Sequence, residues 1–259
     1  MSARCVSPEE LIRELEQRLR PGRQSALAFD ADGTLWSGDV GDDVFRFAVA
    51  HGRLREAARP ALEAQAEARG FERLGDVNAT AKLLFDAYIA GRYPEREMCE
   101  LMTWCYAGHT VTEMQELVRQ ALEATHHAQR LHTELEPVLR FARGSGLRVI
   151  VISASPRITV EVAAGAWGFD PKDITASTAR VDAGMIAPEM NGALPYARQK
   201  SVAGRSLLGQ AHWLASFGDN GFDVEMMQEA ELGVAVRPKP ALCARLEEIP
   251  GVLQLGANF

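Results

Sequence analysis

Apolar residues follow two different rhythms along this chain, and the change of rhythm divides it. Short, nearly continuous apolar runs lie at Ser25–Phe29, Leu147–Ile152, His212–Phe217 and Leu232–Val236. Runs of this kind, bounded by turn residues, predict strands buried on both faces, as in a parallel sheet. Between the first two, from Gly41 to Arg143, apolar residues recur at helical spacing and no strand pattern interrupts them. Asp42 predicts a helix start running to His51-Gly52, and Asn78 a second that carries Leu83, Leu84, Ala87 and Tyr88 and stops at Gly91. Pro94 opens a third with Met98, Leu101, Met102 and Cys105; a fourth carries Met114, Leu117, Val118, Ala121 and Leu122. Ala57–Arg69 reads as a solvated helix, and Pro137–Phe141 begins a return helix.

A helical block framed by strands predicts an insertion into an α/β core better than one continuously alternating fold. The expected fold is a Rossmann-like parallel α/β sheet of residues 1–40 plus 137–259, with an all-α cap of residues 41–136 and a small β-hairpin. The hairpin is read at Ala179–Ala187, around Asp182-Ala183-Gly184. Ser7-Pro8-Glu9-Glu10 has the capping-box pattern of a helix start, followed by Leu11, Ile12, Leu15 and Leu19 and ended by Pro21-Gly22. Ser153 to Pro156 is expected to turn into a helix, and a further helix spans Gln199–Leu208.

Bulk composition narrows the classes. Hydrophobic residues at 47% and charged residues at 24% are ordinary for a globular enzyme. A formal charge of −7, with basic residues scattered, argues against nucleic acid or an anionic membrane surface as partner. No run has the length of a membrane-spanning helix, and the N-terminal segment lacks the apolar core of a signal peptide, so a cytoplasmic protein is expected. Cys5, Cys99, Cys105 and Cys243 show no CxxC spacing and are expected as free thiols. The pattern does not distinguish an oligomer surface from core, so it says nothing of oligomeric state.

The candidate chemistry sits where apolar runs end. Ser25–Phe29 is followed by Asp30-Ala31-Asp32-Gly33-Thr34-Leu35. Strand alternation sends Asp30 and Asp32 the same way, and paired carboxylates there need a cation, a shared proton or open water. The competing reading is a pair of turn aspartates. Ser153 ends the second run, where a hydroxyl beside backbone N–H groups suits a phosphate oxygen; taken alone it reads better as an N-cap. Lys200 could neutralise a phosphoryl group, or be a solvated charge. Gly218-Asp219-Asn220-Gly221-Phe222-Asp223 ends the third run with hard oxygen donors suited to Mg²⁺, the alternative being an Asx turn.

Taken in order, these four segments resemble the four motifs of the haloacid dehalogenase (HAD) superfamily of phosphohydrolases, in its phosphoserine phosphatase-like branch with a helical cap. The resemblance implies that Asp30 is the nucleophile that forms an aspartyl-phosphate and Asp32 the general acid and base. It implies Mg²⁺ held by Asp30, Asp219 and the carbonyl of Asp32, with Asp223 and Asn220 in the shell around it. Ser153, Lys200 and the amides of Ala31, Asp32 and Ala154 would hold the phosphoryl oxygens. Dehalogenases lack a carboxylate at the position of Asp32, so its presence favours phosphoryl transfer to water.

The implied partner is a small phosphomonoester. Asp39 stands where phosphoserine phosphatases carry the glutamate that binds the substrate amine, so a phosphocholine, phosphoethanolamine or phosphoserine type of substrate is expected; a solvated loop or capping acid is the alternative. Asp42 and Asp43 read as helix-start acids. Trp36, Trp104 and Tyr106 could form an aromatic wall for a quaternary ammonium, but aromatics at helical spacing read first as cap core. His126, His127 and His132 read as a solvated face more than a second metal site. The cap lacks the Arg-Val-x-Leu-Leu-x-Gly pattern of phosphoserine phosphatases, and Ser153-Ala154-Ser155-Pro156 replaces their Ser-Gly-Gly. Rival readings are a phosphosugar phosphatase or phosphotransferase on the same core, and a non-catalytic HAD-like binding protein, which typically loses a catalytic position that is filled here.

Overall fold

A computed structural model describes residues 3–256; the outermost residues of the expected core segments, 1–2 and 257–259, lie outside the described residues. The strands are β1 (Arg4–Val6), β2 (Ser25–Phe29), β3 (Arg148–Pro156), β4 (Ile174–Ser177), β5 (Ala179–Asp182), β6 (Met185–Met190), β7 (His212–Gly218), β8 (Leu232–Val236) and β9 (Leu253–Leu255). Helices α1 (Pro8–Arg18), α2 (Val40–Ala50), α3 (Arg59–Ala68), α4 (Val77–Ile89), α5 (Glu95–Trp104), α6 (Val111–Ala124) and α7 (Glu136–Gly144) occupy the first half. Helices α8 (Arg157–Ala164), α9 (Arg198–Leu208), α10 (Val224–Glu229) and α11 (Pro240–Cys243) follow.

Seven strands form one parallel sheet in the order β1-β9-β8-β7-β2-β3-β4, and β5 and β6 pair antiparallel as the expected hairpin. All five residues of β2 are buried, with Phe29 stacked on Phe217 at 4.1 Å between ring centroids. Strand β2 lies between β7 and β3, where the winding of the sheet reverses, the place at which open α/β sheets leave a crevice beyond their strand ends. Phe29 pairs in register with Val151 on one side and Phe217 on the other, which brings Asp30, Ser153 and Asp219 to one edge.

Several expectations about boundaries change. The helix expected to start at Asp42 is capped by Asp39, whose carboxylate accepts the Asp42 N–H. The helix expected to be capped by Asn78 is capped by Asp76, while Asn78 accepts the Leu54 N–H instead. In both cases an earlier acid wins because it can stay extended while reaching three residues forward. Strand β3 runs on through Ser153 to Pro156, and its helix starts only at Arg157, because a register shift against β4 keeps this stretch in the ladder. The strands β1, β4 and β9 were not expected; each has only three or four residues, too short for an alternation to show.

The helical block connects to the sheet through two neighbouring segments. Trp36 bridges Leu131, the Ser37 N–H donates to the Arg130 carbonyl at 2.9 Å, and the His132 N–H donates to the Leu35 carbonyl at 3.0 Å. At the other end of the block, Gly108 and His109 exchange backbone bonds with Ile186 on the hairpin. All four cysteines are free thiols. Among the described residues no helix is long and apolar enough to cross a membrane.

Candidate active site

Four loops converge at the C-terminal ends of β2, β3, β7 and β8. Asp30 follows β2, its N–H donating to the Phe217 carbonyl at 2.9 Å, so the backbone of the neighbouring strand sets its position. The residue is 3% exposed, and Lys200 and Thr34 donate to its two side-chain oxygens at 2.5 and 3.2 Å. Lys200 is fully buried and bridges Asp30 to Asp223, also at 2.5 Å. Helix α9 can present it there because Gly204 lies against the sheet: a Cβ on Gly204 would fall 2.3 Å from Trp213 and 2.6 Å from Ile152. The helix is preceded by Ala197 as its cap, whose φ of 50° is strained for a residue with a Cβ. The Phe222 ring lies 4.8 Å from the Lys200 ammonium and closes the cluster on that side.

Asp223 is fully engaged. Besides Lys200, its other oxygen accepts the backbone N–H groups of Asp219 (3.1 Å) and Asn220 (3.0 Å). Asn220 turns its own side chain onto the Gly221 N–H at 2.7 Å, the local Asx contact. Asp219 differs: it is fully buried, Oδ1 has no hydrogen-bond partner, and Oδ2 lies 2.7 Å from the Lys239 ammonium. The backbone of Gly33, at φ 84°, lies so close that a Cβ there would sit 2.0 Å from Asp219 Oδ2. The first loop therefore needs glycine both for its turn and for this approach.

Ligand oxygens of Asp30, Asp219 and Asp223 fall within 4.8 Å of one another. Three buried carboxylates face two ammonium groups, Lys200 and Lys239, which leaves negative charge to be matched. An unpartnered buried carboxylate oxygen, all-oxygen donors and excess negative charge fit a hard divalent cation such as Mg²⁺. Burial holds the Asp30 carboxyl well above the usual range; the charges of Asp223 and Asp219 add to that, and Lys200 opposes it. Burial likewise raises Asp219, to about 7, with Asp223 adding and Lys239 opposing. For Lys200 burial works against the charge, but Asp223 and Asp30 outweigh it and the ammonium is held above its usual range.

Asp32 is half-buried and held by three donors. The Trp36 indole N–H and the Val40 N–H both donate to Oδ1 at 2.8 Å, and the Ser155 hydroxyl donates to Oδ2 at 2.6 Å. Ser153 is buried beside it, its hydroxyl accepting the Ser155 N–H at 3.0 Å. Ala31 is buried, and Ala154 half-buried, in the same two loops.

Some expected residues are placed differently. Trp36 is fully buried with its indole N–H on Asp32, so it positions a carboxylate and does not face the opening as an aromatic wall. Trp104 (6% exposed) and Tyr106 (1%) are interior packing of the helical block, the reading preferred for them over an aromatic wall. His127 and His132 are buried too, not on a solvated face: His127 packs edge-on to Trp36, and His132 bonds the Thr34 carbonyl at 2.9 Å. Both brace the first loop from beneath.

Asp39 lies at the mouth, exposed yet crowded. Its carboxylate accepts the Asp42 N–H at 2.9 Å and stands within the field of the Asp32 and Asp42 charges. Asp42 is raised to about 6, by burial first and, against the pull of Arg46, by Asp32, Asp43 and Glu95. Glu95, at the start of α5, accepts from the Tyr196 hydroxyl at 3.1 Å, and Tyr196 leans on Phe222. The Cys99 thiol is pushed up by burial and then by Asp39, Glu95, Asp42 and Asp32, so four carboxylates lie within electrostatic reach of one side chain.

Sequence reasoning missed Ser155 and Lys239. Ser155 lies two residues beyond Ser153, on the same strand face, and that alternation was the available signal. Lys239 follows β8, whose end lies at the same sheet edge, but no acidic or glycine-rich pattern marks it.

Comparison with known proteins agrees with this geometry. The family profile of haloacid dehalogenase-like hydrolases matches residues 27–228. No curated protein matches the sequence significantly. Among solved structures, a protein of unknown function from Bordetella pertussis Tohama I superposes with TM-score 0.70 at 18% identity, covering 90% of this chain and 99% of that one. A conserved functionally unknown protein from Anaerococcus prevotii gives TM-score 0.67 at 14% identity, covering 91% and 86%. A probable phosphoserine phosphatase from Vibrio cholerae gives 0.57 at 15% identity, covering 95% and 67%. At such identities the likeness is one of fold; the profile, spanning the loops after β2, β3 and β7 from Asp30 to Asp223, places the chain among the haloacid dehalogenase-like hydrolases.

Proposed function

We propose that this protein is a Mg²⁺-dependent phosphatase that hydrolyses a small, amine-bearing phosphomonoester through an aspartyl-phosphate on Asp30. The observation that carries the reading is the buried Asp30–Lys200–Asp223 bridge beside Asp219, which keeps a free carboxylate oxygen. A carboxylate can attack phosphorus only if the mutual repulsion of two anions is screened, and Lys200 stands where it can do that. Asp30, Asp219 and the Asp32 carbonyl would hold Mg²⁺, with Asp223 and Asn220 behind them; when bound, the ion supplies the further positive charge that the phosphate and nucleophile need. Ser153, Lys200 and the amides of Ala31, Asp32 and Ala154 would hold the phosphoryl oxygens.

In the first step Asp30 forms a bond to phosphorus while the ester P–O bond breaks, and Asp32 passes a proton to the leaving oxygen. In the second, Asp32 takes a proton from the water that attacks the aspartyl-phosphate, releasing phosphate. In this reading the proton belongs on one atom of Asp32. Asp32 Oδ1 faces two N–H groups, which can only donate, so a proton there would meet no acceptor. Asp32 Oδ2 faces the Ser155 hydroxyl, which can donate to the carboxylate and accept from the acid.

We read residues 41–136 as a cap over a core of 1–40 plus 137–259, closing above these loops and bringing Glu95 to the mouth. Asp39, Asp42 and Glu95 give the mouth a negative potential that favours a cationic head group. With Trp36, Trp104 and Tyr106 in the interior, an aromatic cage for a quaternary ammonium has little support; a primary ammonium, which donates hydrogen bonds to carboxylates, fits better. Free thiols suit a reducing compartment such as the cytoplasm, and we expect no nucleic-acid or membrane partner. A phosphomonoester panel with phosphoethanolamine, phosphoserine, phosphocholine and sugar phosphates tests the reading. Metal-dependent turnover led by the primary amines is expected; a leading sugar phosphate, or phosphate transfer to an added alcohol in place of water, would replace it.

A further inference from the structure

Lys239 has no place in the steps above, yet it makes the closest ionic contact to Asp219, 2.7 Å from Oδ2. Its backbone is fixed: the Lys239 N–H donates to the Asp219 carbonyl at 2.8 Å, and prolines Pro238 and Pro240 flank it. Its side chain is 39% exposed, so the ammonium stands on a flexible stem at the open side of the cluster. Lys200 is the opposite case, fully buried and committed to two carboxylates. Burying Asp219 with no cation would be costly, since an isolated carboxylate loses its hydration with nothing in return.

We propose that Lys239 is a resident stand-in cation: it holds Asp219 while the metal is absent, yields that carboxylate when Mg²⁺ arrives, and then turns its freed ammonium to the phosphate entering the mouth. The inference rests on the reading of Asp219 as a metal ligand. Charge argues for the exchange. A divalent ion at Asp219 makes a neighbouring ammonium redundant there, while the dianionic phosphate brings new negative charge to the side the lysine stem can reach. The field of Lys239 already extends to Asp30, Asp32 and Asp39, which surround that entrance. Lys239 is thus a positioning residue for the metal and a binding residue for the substrate.

The test measures metal binding without substrate. Titration calorimetry with Mg²⁺ alone, and Mn²⁺ paramagnetic resonance, are run on the full chain and on its Lys239→Gln, Lys239→Arg and Asp219→Asn variants. Lys239→Gln should bind the ion about 10-fold more tightly, the scale of one charge-assisted contact removed from competition, and Lys239→Arg should stay near the parent. Metal-free Lys239→Gln should melt below the parent, with a larger upward shift on adding Mg²⁺, a readout that mere long-range repulsion would not move. At saturating Mg²⁺ its KM for p-nitrophenyl phosphate should rise several-fold while kcat changes little. Unchanged or weaker Mg²⁺ binding by Lys239→Gln overturns the proposal. Failure of the parent to bind the ion, or binding unaffected by Asp219→Asn, overturns instead the metal reading beneath it.

Discussion

Two groups of carboxylates meet at Asp32, and they are built differently. Asp30, Asp219 and Asp223 stand at or just beyond strand ends, buried at 3% exposure or less, and two lysines, the Thr34 hydroxyl and two backbone N–H groups fix most of their oxygens. Asp39, Asp42 and Glu95 stand at helix starts around the mouth, with Asp39 capping α2 and Glu95 reached by Tyr196. A sheet edge is rigid to within the register of its strands, so it can hold attacking and screening groups at fixed separation. Helix starts can shift with the helices that carry them. The comparison teaches that the reaction and the choice of substrate are carried by different parts of the chain and should separate under mutation.

Asp30→Asn should make the largest break. It removes the nucleophile and should lower kcat by about 10⁴-fold or more for every substrate alike, in steady-state assays with Mg²⁺. Lys200→Met should be nearly as severe for activity and is the variant that also threatens the fold. It leaves Asp30 and Asp223 buried without their cation, an expected loss of about 3–5 kcal/mol by denaturant unfolding. That loss should shrink at acidic pH, where Asp30, whose carboxyl burial already holds above the usual range, takes a proton.

Asp32→Asn separates the two chemical steps. The rate should fall by about 10²–10⁴-fold on alkyl phosphates, whose leaving oxygen needs a proton, and much less on p-nitrophenyl phosphate in the first step. Trp36→Phe keeps the packing but removes one N–H from Asp32, so kcat should fall about 10-fold, the scale of one hydrogen bond to a charged group. A similar loss for Asp39→Asn on all substrates would break the comparison.

The smallest effect belongs to the mouth. Asp39→Asn should raise KM for primary-amine phosphates by several-fold and leave neutral substrates near the parent. Asp42, raised to about 6 by burial, loses its charge as pH falls through that value. Preference for amine over neutral substrates should therefore decline below about pH 6, because the substrate ammonium stays charged while Asp42 does not. A preference that is flat from pH 8 to 5 would remove the mouth from recognition.

The same contrast explains what the sequence made legible. An apolar run that stops at an acid tells where a side chain must emerge, so Asp30, Asp219 and the strands β2, β3, β7 and β8 were readable from local pattern. Lys200 was readable only through its order among the other motifs, since nothing local marks a buried lysine. Trp36 was ambiguous because a ring at a loop can read as wall or as packing; only its bond to Asp32 decides. Asp39 has the signature of an N-cap and is one, and no spacing says that a cap also faces a cleft. The short edge strands β1, β4 and β9, and the reach of Lys239, depend on contacts distant in sequence.

The central claim is that phosphate passes through Asp30. Asp32→Asn with p-nitrophenyl phosphate isolates it, because this leaving group departs without a proton while the second step loses its base. Acid quenching followed by peptide mass mapping should then find a phosphoryl group on the peptide holding Asp30, built up faster than it is released. Turnover with no phosphoprotein at any time, or the label on Ser153 instead, would contradict the account.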